Sequence, residues 1–155
     1  MIRFFPSLKA GQKAPDFSRP DGKGKLWQLS DFEGKWLVLF FYPADFTSGC
    51  SAESCSFRDR YQDFEDAGAE VVGISGDSQA SHQAFAAEHR LPYLLLSDED
   101  ASMRRAYTVP HIFGRLSGRT TFVIGPDGLI RDVFNGREDA LAHVTRSLEF
   151  IRHGN

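Results

Sequence analysis

The chain has 155 residues, a net charge of −3 and 41% hydrophobic against 25% charged side chains, the size and balance of one globular domain, expected to span residues 1–155. The basic residues (18) are outnumbered by the acidic ones (21) and never gather into a run, so no nucleic-acid partner is expected, and no apolar stretch nears the roughly 18 residues of a membrane span. The opening Met1 to Pro6 lacks the apolar leader and cleavage site of a secretory signal, which gives the expectation of a cytoplasmic protein.

Leu8 to Ser30 is rich in turn-forming residues and holds one short alternating run, Leu26 to Leu29. It reads as loops with a small hairpin. Lys35 to Tyr42 is continuously apolar after its first residue and is halted by Pro43. Such a run suits a central strand covered on both faces. A helix is expected after the loop Pro43–Gly49, because Cys50, Ser54, Phe57, Tyr61 and Phe64 fall within about 80° on a helical wheel. Gly68 is its stop. Glu70 to Ser75 reads as a second buried strand, and Asp77 or Ser78 caps a helix running to about His89. Leu94 to Leu96 is a short apolar run. Ser97 to Ala101 opens another helix, with acids at its positive end. Thr120–Ile124 and Leu129–Phe134 flank Gly125-Pro-Asp-Gly128, the pattern of an antiparallel hairpin. Glu138 to Arg152 closes the chain as an amphipathic helix, with Leu141, Val144, Leu148 and Ile151 on its apolar face. The order is that of an α/β domain with a mixed central sheet and helices on both faces.

Cys50 and Cys55 are the whole thiol inventory. In a reducing compartment a close pair is more often catalytic, redox-sensing or metal-binding than structural. Cys50 stands where a central strand, a loop and a helix start meet. Unpaired N–H groups and the helix dipole at that point favour the thiolate, the nucleophilic form. The bland alternative is a small buried side chain at the start of a helix.

The segment Phe41 to Cys55 resembles the active-site loop of the peroxiredoxins, thiol peroxidases with a thioredoxin-like fold. Pro43, Thr47 and Cys50 stand at the spacing of the family pattern. A second cysteine five positions on resembles the peroxiredoxin Q type, also called bacterioferritin comigratory protein. The likeness continues through Phe57 to Arg60, Val72 to Ser78, Leu91 to Asp98 and Arg119 to Ile124, so it covers nearly the whole chain. One departure is Ser48, where most members carry Pro; it should loosen the loop but removes no reacting group.

The resemblance implies a thioredoxin-like fold with peroxiredoxin additions. It implies that Cys50 is the peroxidatic nucleophile and that Cys55 resolves its sulfenic acid as an intramolecular disulfide. Thr47 is similar to the family hydroxyl that accepts from the peroxide while bonding the thiolate; by itself it reads as a turn residue. Pro43 matches the shield that closes the pocket, or simply ends a strand. Arg119 matches the arginine that stabilises the thiolate and the leaving oxygen, with Arg115 as a nearby rival. Glu53 stands where related proteins carry an acid that orients an arginine, and equally reads as a first-turn acid. The implied partners are a peroxide, hydrogen peroxide or an organic hydroperoxide, and thioredoxin or a similar dithiol reductant. No metal, haem or flavin is implied, and a monomer is expected.

Three other readings compete. A zinc site would need two ligands beyond the cysteines, and His82 and His89 stand roughly 10 Å apart along a helix; both are expected at the surface. A thioredoxin-type disulfide oxidoreductase would show Cys-x-x-Cys, whereas this chain has four residues between its cysteines. A redox-sensing or scaffold domain would use the pair as a switch, against which stands the full set of Pro43, Thr47, Cys50 and Arg119. Phe46, Ile112 and Phe113 are candidates for an apolar rim around the pocket, and equally for core.

If both cysteines lie in one helix, five residues of rise and rotation put their Cα atoms roughly 8.6 Å apart. An unstrained disulfide spans at most about 7 Å. The disulfide therefore requires the first turns of that helix to unwind.

Overall fold

A computed structural model describes residues 7–112, 116–136 and 140–153. After a small hairpin of β1 (Ser18–Pro20) and β2 (Leu26–Gln28) and a 3-10 turn at Leu29–Phe32, the chain enters β3 (Trp36–Phe41). There follow α1 (Ser48–Asp59), α2 (Tyr61–Asp66), β4 (Ala69–Ser75), α3 (Gln79–His89), β5 (Leu94–Ser97) and α4 (Ser102–Ala106). A two-residue pair, β6 (His111–Ile112) and β7 (Leu116–Ser117), precedes β8 (Thr120–Ile124), β9 (Ile130–Asn135) and α5 (Ala140–His153). The five-stranded sheet has the order β5-β4-β3-β8-β9. β4 runs parallel to both β3 and β5, while β8 is antiparallel to β3 and β9.

β3 is the middle strand, as its apolar run requires. Successive side chains of a strand point to opposite faces. Leu37, Leu39 and Phe41 accordingly join one core cluster, and Val38, Phe40 and Tyr42 the other. The second cluster lies under α1 and α5 and contains Cys50, Phe57, Val144 and Leu148. Phe40 stacks on Phe57 at 4.5 Å between ring centroids. Room for Phe40 comes from Gly73 on the neighbouring strand: a Cβ there would stand 2.7 Å from the Phe40 Cζ. A glycine in β4 thus sets the floor on which the cysteine helix rests.

Most sequence expectations hold, with five differences. The helix expected to open at Ser97 starts at Ser102, because Ser97 ends β5 and Asp98 stands ahead of the helix, accepting from the Met103 and Arg104 N–H groups. The expected single helix from Cys50 is two, broken at Arg60 (φ −107°), whose N–H bonds back to Ser56, Phe57 and Arg58. The break turns α2 so that the Phe57 and Phe64 rings, both fully buried, lie 5.7 Å apart. On a straight helix seven residues would separate them by about 10 Å along the axis. The loop expected to run to Gly49 ends two residues sooner, and Ser48 opens α1. In α5, Leu141 is 57% exposed instead of core. The buried face is made by His143, Val144, Ser147, Leu148 and Ile151; the expected helix start at Glu138 lies outside the described residues. Lastly, His82 is buried and His89 half-buried, not at the surface. His82 is drawn inside because Asp45 and the Leu96 carbonyl satisfy both its nitrogens. Among the described residues no helix is long and apolar enough to cross a membrane.

Candidate active site

β3 ends at Phe41, and the loop that follows is clamped from below. The Tyr42 hydroxyl donates to Asp45 Oδ1 at 2.6 Å, and Ser81 Oγ donates to Oδ2 at 2.9 Å. His82 Nδ1 lies 2.8 Å from Asp45 Oδ2, while its Nε2 donates to the Leu96 carbonyl at 3.1 Å. Asp45 N–H donates to Asp77 Oδ2 at 2.8 Å, and Asp77 also accepts from Ser75 Oγ. Burial first, and the Asp45 charge next, push the Tyr42 phenol well above its ordinary range, so it stays a donor. These bonds hold Phe46 in the left-handed region at φ 64°, a conformation disfavoured for a side chain with a Cβ and sustained by its surroundings. Asp45, Asp77 and His82 also form a compact set of ligand-type atoms, but their polar atoms are engaged with one another and with the loop.

The loop delivers Thr47 as the extended residue before α1, and Cys50 as the third residue of the helix. Cys50 is 1% exposed. Arg119 comes from the opposite side. β8 pairs with β3 through Phe41 and Thr120, and one step beyond that pair Arg119 stands beside the departing loop. Its Nη2 lies 3.4 Å from Cys50 Sγ, and its Nη1 donates to Glu53 Oε1. Gly49 makes room for the guanidinium, since a Cβ there would be 3.3 Å from Nη2. Glu53 is one turn after Cys50 and fully buried. Burial lifts its carboxyl to about 7 against the opposing pull of Arg119. Burial acts on Arg119 in the other direction, but the charges of Glu53 and Cys50 outweigh it and raise the guanidinium further. Arg119 is a cation at every working pH.

Behind Glu53 stands His143 of α5, fully buried, with Nδ1 3.7 Å from Glu53 Oε2. Its Nε2 donates to the Gly136 carbonyl, and the Thr121 hydroxyl meets Nδ1, each at 2.7 Å. The phenol of Tyr93 donates to the Ser54 carbonyl at 2.6 Å, gripping α1 between the cysteines. Both thiols are free, and α1 runs unbroken through both.

The structure therefore brings Cys50, Arg119 and Glu53 together. Thr47 is exposed at the helix start, and its hydroxyl hydrogen goes to the Ala44 carbonyl at 3.1 Å rather than to the thiol. Pro43 is half-buried and lines a cleft with Phe41, Ser75, Asp77 and Arg104. Cys55 is half-buried, with Sγ 3.5 Å from His89 Nδ1. Of the rim candidates, Phe46 is 53% exposed, its ring 5.2 Å from Phe85. Phe113 and Arg115 lie outside the described residues, as does the side chain of Ile112. Sequence reasoning places none of Asp45, His82, His89 and His143 near the site. The available signal for His143 is its place beside Val144 on the buried face of an amphipathic helix.

The AhpC/TSA family model matches residues 10–133. Peroxiredoxin Q, chloroplastic, of Gentiana triflora is 44% identical over 152 residues, 97% of this chain and 70% of that protein. The protein of the same name from Arabidopsis thaliana is 46% identical over 149 residues, 96% of this chain and 69% of that protein. Among solved structures, Peroxidoxin BcpB of Mycobacterium tuberculosis aligns with a TM-score of 0.89 at 36% identity, covering 96% of this chain and 99% of that one. The relatives' names overturn the cytoplasmic expectation, because these similar curated proteins are chloroplastic. A nucleophile-type thiol under a buried arginine, on a sheet that superposes on solved peroxiredoxins, agrees with what the sequence match says: the chain belongs to the AhpC/TSA family, as a thiol peroxidase of the peroxiredoxin Q type.

Proposed function

We propose that Cys50 is the peroxidatic cysteine and Cys55 its resolving partner. The observation that carries this is the contact of Arg119 Nη2 with Cys50 Sγ at a buried helix start. The thiolate attacks one peroxide oxygen. An S–O bond forms, the O–O bond breaks, and the leaving oxygen takes a proton and departs as water or an alcohol. Arg119 stabilises the thiolate before the step and the leaving oxygen during it. Glu53 holds the guanidinium over the sulfur. Thr47, whose hydrogen is committed to Ala44, keeps its oxygen lone pairs for the peroxide O–H, and Pro43 shields the pocket from water.

The sulfenic acid on Cys50 then meets the Cys55 thiol. Their separation in an intact helix requires α1 to unwind between them, which breaks the Tyr93–Ser54 bond. The disulfide so exposed goes to thioredoxin or a similar dithiol. One structural relative, the bacterioferritin comigratory protein of Xanthomonas campestris, has alkyl peroxide reduction activity. With the apolar Phe46 ring 53% exposed one residue before Thr47, organic hydroperoxides join hydrogen peroxide as substrates here. The chain acts as one domain, 1–155, and as a monomer.

Peroxide consumption with a thioredoxin system tests the activity, and mass spectrometry after one equivalent of peroxide tests the assignment. Oxidation is expected at Cys50 first and as a Cys50–Cys55 disulfide later. Finding it first on Cys55 reverses the roles.

A further inference from the structure

We propose that His89 is the general base of the resolving step, accepting the proton of the Cys55 thiol. This rests on reading Cys55 as the resolving cysteine. His89 is the last residue of α3, closed by Arg90 in the left-handed region. Its Nδ1 lies 3.5 Å from Cys55 Sγ, within reach of an S–H donor. Phe85 meets the imidazole edge-on at 4.8 Å between centroids, and the backbone of the residue is held as well, since the His89 carbonyl accepts from Arg58 Nη1 at 2.8 Å.

The need for such a base follows from where Cys55 sits. It lies beyond the first turn of α1, where the dipole no longer reaches, and Arg119 is committed to Cys50 and Glu53. The groups that face Cys55 are His89 from α3, Arg58 from α1 and Tyr93 from the turn before β5, whose phenol burial pushes well upward. Arg58 is held as a cation by its bond to Asp59 first, burial opposes that, and the charge of a Cys55 thiolate then adds to the pull. A proton passed from sulfur to Nδ1 thus leaves the thiolate beside a cation.

In the step itself, the Cys55 S–H bond breaks and its proton goes to the neutral imidazole. The thiolate attacks the Cys50 sulfenic sulfur, the S–S bond forms and the S–O bond breaks. The departing hydroxide takes a proton from the imidazolium through solvent, giving water and a neutral ring.

Single-turnover kinetics without reductant separate Cys50 oxidation from disulfide formation. In His89→Gln the disulfide phase should slow about tenfold below neutrality relative to the oxidation phase, which is less than the usual yield of a general base because a thiol is already partly ionised. Its rate should then rise steadily with pH where the wild-type rate has levelled. Added imidazole should restore the phase in His89→Ala. Unchanged disulfide kinetics in His89→Gln overturn the proposal. So does a slow phase that imidazole does not rescue, which would mark His89 as packing only. If the wild type forms no Cys50–Cys55 disulfide at all, the reading of Cys55 fails first, and the proposal with it.

Discussion

The two thiols share one helix and have almost opposite surroundings. Cys50 is closed off from water at the positive end of α1, against an arginine held by a buried carboxylate. Cys55 is half-buried farther along, against a histidine and a partly solvated arginine. The first environment suits a group that must ionise and react with a small neutral molecule in a dry site. The second suits a group that is to be released. One helix can hold both because five residues rotate the second cysteine off the face that carries the first.

Removing either sulfur tests that contrast most severely. Cys50→Ser should abolish peroxide reduction. Cys55→Ser should permit one turnover and stall at the sulfenic acid, seen as an unpaired oxidised cysteine by mass. Equal loss in the two variants would erase the distinction between the environments.

Next in size is Arg119→Ala. One missing transition-state donor typically costs a few kcal/mol, so the rate with peroxide should fall by about a hundredfold or more. Stopped-flow rates within a few-fold of wild type would remove Arg119 from the reaction, whatever its contact with Cys50.

The smallest effect concerns stability. The folded state raises the Glu53 carboxyl from 4.5 to about 7. A raised group binds its proton more tightly in the native state, so its contribution is fully present below about 4.5 and is lost as pH rises through about 7. Denaturant unfolding of wild type and Glu53→Gln should therefore diverge with pH, the wild type losing more stability over that window. Parallel curves would mean that Arg119 already neutralises the cost of burying the charge.

The sequence displayed the sheet more clearly than the site. Lys35 to Tyr42 announces a middle strand because apolar residues on both of its faces leave no side for water. A helix after the Pro43 loop and the hairpin of β8 and β9 are equally plain from wheel positions and turn residues, although the start at Ser48 and the break at Arg60 are not. Pro43, Thr47 and Arg119 were singled out only through resemblance, whereas Cys50 also stood out by its place at a helix start; the contact of Cys50 with Arg119 spans 69 positions, beyond any local pattern. The buried histidines were not legible. His82 and His143 are inside because Asp45, Leu96, Thr121 and Gly136 supply their partners, and no local pattern displays a partner so far along the chain. Leu141 failed in the opposite way: it has the right wheel angle, yet it is 57% exposed while His143 and Val144 of the same turn are buried.

The clamp beneath the loop bears on how the molecule resets after each cycle. Starting a free helix is unfavourable by a factor on the order of one in a thousand, whereas extending an existing one is nearly neutral per residue. The Asp45 bonds to Tyr42, Ser81 and His82 all lie before the segment that must unwind, and Phe57 and Phe64 anchor the chain after it. A disulfide cleaved by its reductant thus leaves a short gap between two fixed ends. Rewinding then proceeds by propagation from a standing turn instead of nucleation, so recovery of the peroxide pocket should keep pace with reduction and not limit the cycle.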